Sequence, residues 1–355
     1  MTQNILIIGA GMSGLSVAFA FLQRGHRVTV LDRGETGGES SWAGGGILSP
    51  LLPWDYAGPV STLALRSMTG YADWVADIEA QSERVAEYWR CGMRVIEASR
   101  PDAALAWCKA HAMAAQPEHT PTGNSLCLPD VAQVRNPRLV AALREAIVRM
   151  GGTIHTHCAV TTAMSQAGQM NAVCTEQGTF SADQFVLATG AWAGVALPGL
   201  AGMPSVRPIR GQMLLFKLEP GALDTILYRN GLYLIPRRDG HVLVGSTLED
   251  VGFDKSIDST ALKYLHAAAA ALLPVLGSMQ PIQHWAGLRP GSPGNIPVID
   301  RHPDFDNVFV NTGHYRYGVT MAPASAELLL SLMEGATPAL DPAAYRWQAA
   351  QARRW

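Results

Sequence analysis

The apolar residues at the start of the chain follow two successive patterns. Residues 5–8 (ILII) are all apolar, which is typical of a strand buried on both faces, and residues 14–24 (GLSVAFAFLQR) have helical spacing before Gly25. Residues 28–32 (VTVLD) return as a second strand. The beginning of the chain therefore predicts a βαβ unit whose two strands lie parallel in a covered sheet.

The remaining chain mixes helical and strand patterns. Residues 59–113 are expected to be mostly helical, with Trp74, Trp89 and Trp107 as core or interface anchors. Alternating apolar positions between 206 and 248 predict antiparallel strands, and Asp239-Gly240 is a typical hairpin turn. The other predicted elements are strands at 153–157, 171–175, 184–189 and 307–311, and helices at 137–150, 260–273 and 318–333.

Composition narrows the class of protein. The formal net charge is −2, from 27 basic and 29 acidic residues, so no basic surplus indicates nucleic acid or an anionic membrane. The five cysteines are scattered without CxxC spacing, which is typical of reduced thiols in a cytoplasmic protein and indicates no metal site. Residues 5–22 carry no charge, yet no basic residue precedes them and three glycines interrupt them, so we expect neither a membrane span nor a signal peptide.

A nucleotide-binding fingerprint lies between the first two strands. Gly9, Gly11 and Gly14 form a GxGxxG motif after a predicted strand and at the start of a helix, and Asp32 ends the next strand. The glycines allow a pyrophosphate to approach the helix N-terminus, and Asp32 can accept hydrogen bonds from a ribose. NAD and FAD share this fingerprint. The long loop at 34–53, followed by a helical insertion, favours a flavoprotein.

Five separated blocks resemble the D-amino-acid-oxidase-like flavoproteins, and among them the glycine oxidases of thiamine biosynthesis (ThiO). The blocks are IIGAGMSG with Asp32, SSWAGGGILSPLLPW at 40–54, GLYLIPRRDGHVLVGSTLE at 231–249, WAGLRPG at 285–291 and GHYRYGVTMAPAS at 313–325. They occur in the family's order and span most of the chain.

The resemblance implies a set of site residues. Arg289 and Arg316 would contact a substrate carboxylate, and Tyr233 would lie on the pocket wall. The implied FAD contacts are Gly9, Gly11, Met12, Ser13, Gly14, Asp32, Arg33, Ser40, Ser41, Gly45, Gly46, Ile47, Val160, His314, Tyr315, Arg316, Tyr317, Gly318, Val319 and Thr320. Two positions depart from the family: Gly231 stands where some glycine oxidases have histidine, and Tyr317 where many relatives have asparagine.

These patterns predict an α/β protein of two interleaved domains. A discontinuous Rossmann-like FAD-binding domain would comprise 1–75, 133–205 and 280–355. A second α+β substrate domain with an antiparallel sheet would comprise 76–132 and 206–279. FAD should be non-covalent, because the cysteine that some relatives use in the C-terminal flavin loop has no counterpart after Cys174. A homo-oligomer is also expected.

The implied reaction is oxidation of glycine or a similar small amino acid to the imine, by hydride transfer to flavin N5. O2 would then reoxidise the flavin and give hydrogen peroxide. Arg289 suits a carboxylate because guanidinium donates two parallel hydrogen bonds, and we expect it on a short rigid loop. Backbone amides after Gly313 would stabilise charge on the reduced flavin, and His314 is expected to be a packed residue more than a general base.

Other readings stay open from sequence alone. A related flavoenzyme could act on sarcosine, proline or D-amino acids, with O2 or a quinone as acceptor. An oxidase domain acting on modified tRNA is a second alternative, which the slightly acidic charge disfavours. A third is a flavin-binding protein without turnover.

Overall fold

The computed structural model describes residues 2–50, 52–120, 123–195, 197–200 and 202–355. Its helices are α1 (Met12–Gln23), α2 (Ser40–Ala43), α3 (Gly58–Gln81), α4 (Pro101–Ala110), α5 (Asn136–Arg149), α6 (Ser259–Leu272), α7 (Gly318–Glu334) and α8 (Trp347–Ala352). Its strands are β1 (Asn4–Ile8), β2 (Arg27–Leu31), β3 (Ile47–Leu48), β4 (Trp89–Arg90), β5 (Met93–Val95), β6 (Gln116–Thr120), β7 (Gly123–Leu128), β8 (Ala132–Gln133), β9 (Thr153–His155), β10 (Val160–Gln166), β11 (Gln169–Thr175), β12 (Gly178–Ser181), β13 (Gln184–Leu187), β14 (Arg207–Lys217), β15 (Ile226–Arg229), β16 (Leu232–Pro236), β17 (His241–Gly245), β18 (Gln283–Gly291), β19 (Val298–Arg301) and β20 (Val308–Thr312).

A six-stranded sheet contains the predicted βαβ unit. Its strand order is β19-β20-β13-β1-β2-β9, and β1 pairs in parallel with both β2 and β13. Helix α1 packs against α5 and α7, so the central strands are covered and Ile7 is fully buried. A continuous apolar strand is stable only with both faces covered, which explains why residues 5–8 need no polar alternation. The predicted Rossmann-like arrangement is confirmed.

An eight-stranded sheet forms the second layer of structure. Its order is β18-β14-β17-β16-β15-β5-β7-β6, and it is antiparallel apart from the pairing of β5 with β15. The Asp239-Gly240 hairpin joins β16 to β17 as predicted, with Gly240 at φ 85°. Helix α6 packs on this sheet, where Phe216, Leu234 and Leu265 are buried in a common cluster. The predicted α+β unit with an antiparallel sheet is confirmed.

Residues 82–100, between α3 and α4, depart from the helical prediction. After α3 ends at Gln81, the positive φ angles of Glu87 (62°) and Gly92 (71°) interrupt any helix. Trp89 lies in strand β4 and pairs with Gln133 of β8, and the guanidinium of Arg238 lies 5.0 Å from the centre of its ring. Pairing with strands distant in sequence outweighs the local helical pattern here, so the expectation of a helical Trp89 was wrong.

The expectation that Arg289 lies on a short loop was also wrong. Arg289 is part of strand β18, which pairs with β14 over its full length from Gln283 to Gly291. Pro290 is tolerated because β18 is at the edge of the sheet. The predicted domain bounds remain a prediction, and they assign β18 to the FAD-binding part although its hydrogen bonds join it to the eight-stranded sheet.

The remaining predicted helices agree with the structure within one or two residues at each end. In the described part of the chain, no helix combines the length and the apolar character that crossing a membrane requires.

Candidate active site

The carboxyl ends of β1, β2, β13 and β20 meet at one edge of the six-stranded sheet, and a cavity of about 380 Å³ lies there. The eight-stranded sheet completes the wall with Tyr233 of β16, Ser246 directly after β17 and Arg289 of β18. Open α/β sheets bind ligands at this edge, and small-molecule pockets span about 300–1,000 Å³. The cavity is therefore the candidate active site.

The turn between β1 and α1 has no room for side chains at two of its glycines. Gly9 has φ 112°, and a Cβ added there would lie 2.3 Å from the carbonyl oxygen of Ala188. A Cβ on Gly14 would lie 1.9 Å from the carbonyl oxygen of Gly9. At Gly11 the nearest atom is Ser41 Oγ, at 3.2 Å, and this glycine borders the cavity. Gly9 and Gly14 thus shape the turn, while Gly11 leaves the start of α1 open to a ligand.

Asp32 follows β2 and already holds two backbone amides. Its Oδ2 accepts a hydrogen bond from Ala10 N at 2.6 Å, and its Oδ1 accepts one from Gly34 N at 2.8 Å. Each carboxylate oxygen keeps a second lone pair, so Asp32 can still accept from a ribose hydroxyl. Beside it, the guanidinium of Arg33 lies 3.5 Å from the centre of the Trp192 ring. This cation–π pair forms part of the cavity wall next to Asp32.

Helix α2 and the loop that follows it are held by hydrogen bonds from several elements. Ser41 Oγ accepts from Met12 N at 2.8 Å, and Asn136 Nδ2 donates to the carbonyl of Ser41 at 3.0 Å. Arg237 donates to the carbonyl of Gly45 at 2.8 Å. Burial lowers the pKa of Arg237 to about 10, so its guanidinium remains charged at neutral pH. This backbone is therefore fixed from both the start of α1 and the eight-stranded sheet.

The segment from Gly313 leads from β20 into α7. Helix α7 begins at Gly318, has no acidic residue in its first turn, and places Gly318, Val319 and Thr320 on the cavity wall. Thr320 Oγ1 donates to the carbonyl of Ile47 at 2.9 Å, which joins this segment to the loop after α2. The start of a helix carries partial positive charge, so this end of the cavity favours a group that becomes negative.

His314 lies in the same segment but has its partner inside the protein. Its ring is 3% exposed, and its Nε2 is 3.0 Å from Ser325 Oγ of α7. Burial lowers the pKa of His314 to about 4, so the ring is uncharged at neutral pH.

Arg289 extends from β18 over the backbone of β14. Its Nη2 donates to Ser246 Oγ at 2.6 Å and its Nη1 donates to the carbonyl of Thr247 at 3.3 Å. A Cβ added to Gly211 would lie 2.0 Å from Nη1 of Arg289, so the guanidinium fits only because residue 211 has no side chain. Arg289 has no acidic partner among the described residues.

Arg316 is surrounded by tyrosines. Burial acts to lower its pKa, but the nearby hydroxyls of Tyr317, Tyr56, Tyr233 and Tyr315 outweigh burial and raise it. The rings of Tyr56 and Tyr317 meet edge to face with centroids 5.0 Å apart. No ion pair joins Arg316 to an acidic residue in the described part of the chain. Arg289 and Arg316 therefore bring two positive charges to the cavity, and neither is paired with a carboxylate among the described residues.

Buried polar atoms without partners test whether FAD fits this cavity. Both side-chain amide atoms of Asn311, in β20, and Oδ1 of Asn136 are buried at the cavity wall without a partner among the described residues. An unsatisfied buried polar group costs about 1–3 kcal/mol, so these atoms are available to a bound polar ligand. Together with the open turn at Gly11 and the start of α7, they fit a long dinucleotide with a flavin at one end.

Nearly all the residues predicted for the site meet at this one cavity. Every predicted cofactor contact except Gly14 lines it, and so do Arg289, Arg316 and Tyr233. Gly14 lies behind the turn against Gly9. Sequence reasoning missed the wall residues Gly37, Asn136, Cys158, Trp192, Ser246 and Asn311, and it missed Arg237 and Gly211, which hold the wall in place.

The positions of some of these residues could have been predicted from the sequence. Trp192 follows the glycine turn after β13, and Asn311 is the last residue of the strand predicted at 307–311, so both lie at carboxyl ends of predicted strands. No local pattern marks Ser246 or Arg237. Among the described residues, no group of three or more His, Cys, Asp or Glu side chains is arranged to hold a metal ion.

Comparison with known proteins places this geometry in a family. The sequence profile of the FAD dependent oxidoreductase family (DAO) matches residues 4–332. Glycine oxidase from Pseudomonas aeruginosa is 40% identical over 97% of this chain and 98% of its own. The bifunctional protein ThiO/ThiG of Synechocystis is 34% identical over 94% of this chain, which spans 52% of that longer protein.

Solved structures share the fold. The crystal structure of glycine oxidase from Geobacillus kaustophilus matches with a TM-score of 0.90 and 24% identity, covering 98% of both chains. Iminodiacetate oxidase from Chelativorans matches with a TM-score of 0.87 and 23% identity, covering 96% of this chain and 98% of that one. With a profile match over most of its length and a relative of 40% identity, the chain belongs to the FAD-dependent oxidoreductase family.

Proposed function

We propose that the protein oxidises glycine, or a similarly small amino acid, to its imine, with O2 as the final acceptor and hydrogen peroxide as the second product. The observation that carries the proposal is the pair of arginines, Arg289 and Arg316, which have no acidic partner among the described residues and face a cavity that fits FAD. Relatives named glycine oxidase, at 40% and 39% identity, support the choice of substrate.

The two arginines would bind and orient the substrate carboxylate. Guanidinium suits this task because its planar N–H groups match the two carboxylate oxygens, which fixes orientation as well as position. Arg289 is itself held by Ser246 and Thr247, so little rotamer freedom is lost when a ligand binds. Tyr233, 8% exposed, closes the same side of the cavity.

Bound FAD supplies the acceptor for the hydride equivalent, which no protein side chain can accept. The first amides of α7 would stabilise negative charge that develops near them, because they carry partial positive charge in a water-poor site. The residues of the loop after α2 would keep water from the reacting carbon.

The names of longer relatives support a metabolic assignment. Bifunctional ThiO/ThiG proteins match over 94% of this chain, and we propose that this protein serves the thiazole branch of thiamine biosynthesis. A cytoplasmic location and a homo-oligomeric state stay predictions.

Anaerobic reduction tests the proposed reaction directly. Glycine added to the oxidised holoenzyme without O2 should bleach the yellow flavin colour, and sarcosine, proline and D-amino acids in the same panel should rank by how well they fit the cavity. Admitting O2 should restore the colour with formation of hydrogen peroxide. If dithionite bleaches the flavin and none of these compounds does, the protein does not oxidise amino acids; if another member of the panel reacts much faster than glycine, the substrate assignment is wrong.

FAD should be attached without a covalent bond. Of the five cysteines, Cys158 lines the cavity, but its backbone N–H donates to the carbonyl of Asp32 at 2.7 Å, so in the proposed binding mode it would lie beside the ribose and away from the flavin. Denaturation by acid or heat, followed by centrifugation, should therefore release all flavin into the supernatant as free FAD. Yellow colour retained by the precipitated chain would contradict this.

Substitution of Gly211 should displace Arg289 without unfolding the protein. In Gly211→Ala the new Cβ would overlap the guanidinium, which can move because it is the end of a flexible side chain. We expect KM for glycine to rise about 10- to 100-fold, since displacement of a binding group by about 1 Å has effects of this size. FAD content and thermal stability should stay near wild type.

The matched control is Gly70→Ala, in α3, where an added Cβ meets no atom within 4 Å. Its KM should be unchanged. An unchanged KM in Gly211→Ala would show that the position of the Arg289 guanidinium does not matter for binding.

His314 should make stability depend on pH. Its folded pKa of about 4 lies below the ordinary value of 6.5, so the unfolded chain binds the proton more readily. The stabilisation is complete above about pH 6.5 and is lost as pH falls towards 4, by an amount of order 3 kcal/mol. In His314→Gln, denaturant unfolding should show a weaker loss between pH 7 and 4, whereas the exposed control His111→Gln should follow wild type. Identical curves for wild type and His314→Gln would contradict this assignment.

A further inference from the structure

The loop that joins β17 to α6 (the β17–α6 loop, residues 246–258) reaches the wall of the cavity from outside. The ring of Phe253 is stacked on the ring of Trp192, with centroids 5.3 Å apart and an angle of 23° between the planes. Lys255 Nζ donates to Glu39 Oε2 at 2.9 Å. Among the described residues, those that line the cavity include Trp192 and Glu39 but neither residue of the loop. The loop therefore contacts two wall residues from their outer side.

These wall residues are also joined to each other. Arg33 Nη2 lies 3.4 Å from Glu39 Oε1, and the same guanidinium lies 3.5 Å from the centre of the Trp192 ring. With the two contacts from the β17–α6 loop, the pairs make a closed ring of five side chains. Arg33 follows β2, Glu39 precedes α2 and Trp192 follows β13, so the ring joins three separate segments of the wall.

The base of the β17–α6 loop is fixed to the eight-stranded sheet. Arg210 of β14 is 7% exposed, and its Nη1 donates to Asp254 Oδ2 at 2.7 Å and to the carbonyl of Ser256 at 3.0 Å. These two acceptors lie on either side of Lys255 in the sequence. The loop thus connects a buried arginine of the eight-stranded sheet with wall residues that follow strands of the six-stranded sheet.

The two contacts with the wall are weaker than this anchor. Phe253 remains 45% exposed, and the side chains of Lys255 and Glu39 are 45% and 38% exposed. An exposed ion pair contributes little to stability, and one aromatic pair adds a modest amount. Segments with few buried contacts open locally far more often than the core unfolds. The tip of the loop can therefore detach from the wall while Arg210 still holds its base.

We propose that the β17–α6 loop retains FAD in the cavity, with Phe253 and Lys255 as the positioning residues through which it acts. While the loop is attached, the three wall segments are held together around the bound cofactor. FAD dissociates when the loop has detached and these segments can separate. The inference requires FAD, which is the cofactor of this family, and it is independent of which amine the protein oxidises.

Exchange of bound FAD measures this retention directly. Holoenzyme freed of unbound cofactor is mixed with a large excess of isotopically labelled FAD, and the label bound to the protein is measured after desalting at intervals. Phe253→Ala should speed exchange about 3- to 10-fold, the size expected for loss of one aromatic contact. Lys255→Ala should speed it about 3-fold, because its ion pair is exposed. Phe253→Tyr keeps the stacked ring and should exchange like wild type.

Two further variants separate this role from a general loosening of the loop. Ile257→Ala removes an apolar side chain that is 49% exposed from the same loop and leaves the stack on Trp192 intact. Its exchange should be within about 2-fold of wild type, as for most surface substitutions. In Trp192→Ala the partner of the stack is already absent, so the addition of Phe253→Ala should change exchange by less than about 2-fold.

Exchange in Phe253→Ala within about 2-fold of wild type would overturn the inference. Equal acceleration in Phe253→Ala and either Phe253→Tyr or Ile257→Ala would overturn it too, as would a Phe253→Ala effect that is undiminished in the Trp192→Ala background. Wild-type exchange in Lys255→Ala would overturn the part assigned to Lys255. The proposed function fails by a different sign, which is the absence of anaerobic bleaching by amino acids in a holoenzyme that still contains FAD.

Discussion

The pairing of β14 with β18 is the contact on which the substrate end of the cavity depends. Its antiparallel register runs from Arg207 opposite Gly291 to Leu215 opposite Gln283, and it fixes the backbone of Arg289 opposite Ile209. A side chain on a free loop would retain many positions, whereas one on a paired strand retains only its rotamers. The same strand reaches the cofactor side, since Trp285 Nε1 donates to the carbonyl of Ala43 in α2 at 3.1 Å.

Charge complementarity follows from what surrounds each arginine. Arg210 is buried beside Glu249 and Asp254, so its charge is balanced within the protein. Arg237 is buried among carbonyl oxygens of Val134 and Gly45, which hold it in place without cancelling its charge. Arg289 donates to the carbonyl of Thr247 and to Ser246 Oγ, but neither Arg289 nor Arg316 has an acidic partner among the described residues, so a bound anion would balance their charge. In this fold, Arg210 and Arg237 are buried with partners inside the protein, whereas Arg289 and Arg316, the arginines proposed to bind substrate, are half-buried at the cavity.

Local pattern was sufficient for much of the fold. The apolar run at 5–8, the glycines at 9, 11 and 14, and the Asp239-Gly240 turn each carry their own conformational requirement, and the structure has the strand, turn and hairpin that they predict. The predictions failed where pairing with residues distant in sequence determines the local structure. Trp89 is in a strand because Gln133 pairs with it, and Arg289 is in a strand because β14 lies beside it.

The residues of the candidate site divide in the same way, into those that sequence motifs predict and those that they do not. Residues within motifs, such as Asp32 and Thr320, could be placed at the cavity from sequence and from family resemblance, since each lies at the end of a strand or the start of a helix. Ser246, Gly211 and Arg237 could not. Their importance comes from contacts with Arg289 or with the carbonyls of Val134 and Gly45, and such contacts exist only after segments distant in sequence have come together.

The residues that line the cavity come from positions between Ile8 and Thr320. Binding of the cofactor is therefore coupled to the folding of most of the chain. An unfolded chain has no such cavity, so mass action favours the native state whenever the cofactor is present, by about 2.7 kcal/mol when its free concentration is about 100 times its dissociation constant. FAD thus stabilises the native state in addition to its part in the reaction. A larger supply of FAD therefore lowers the fraction of the chain that is unfolded and open to proteolysis.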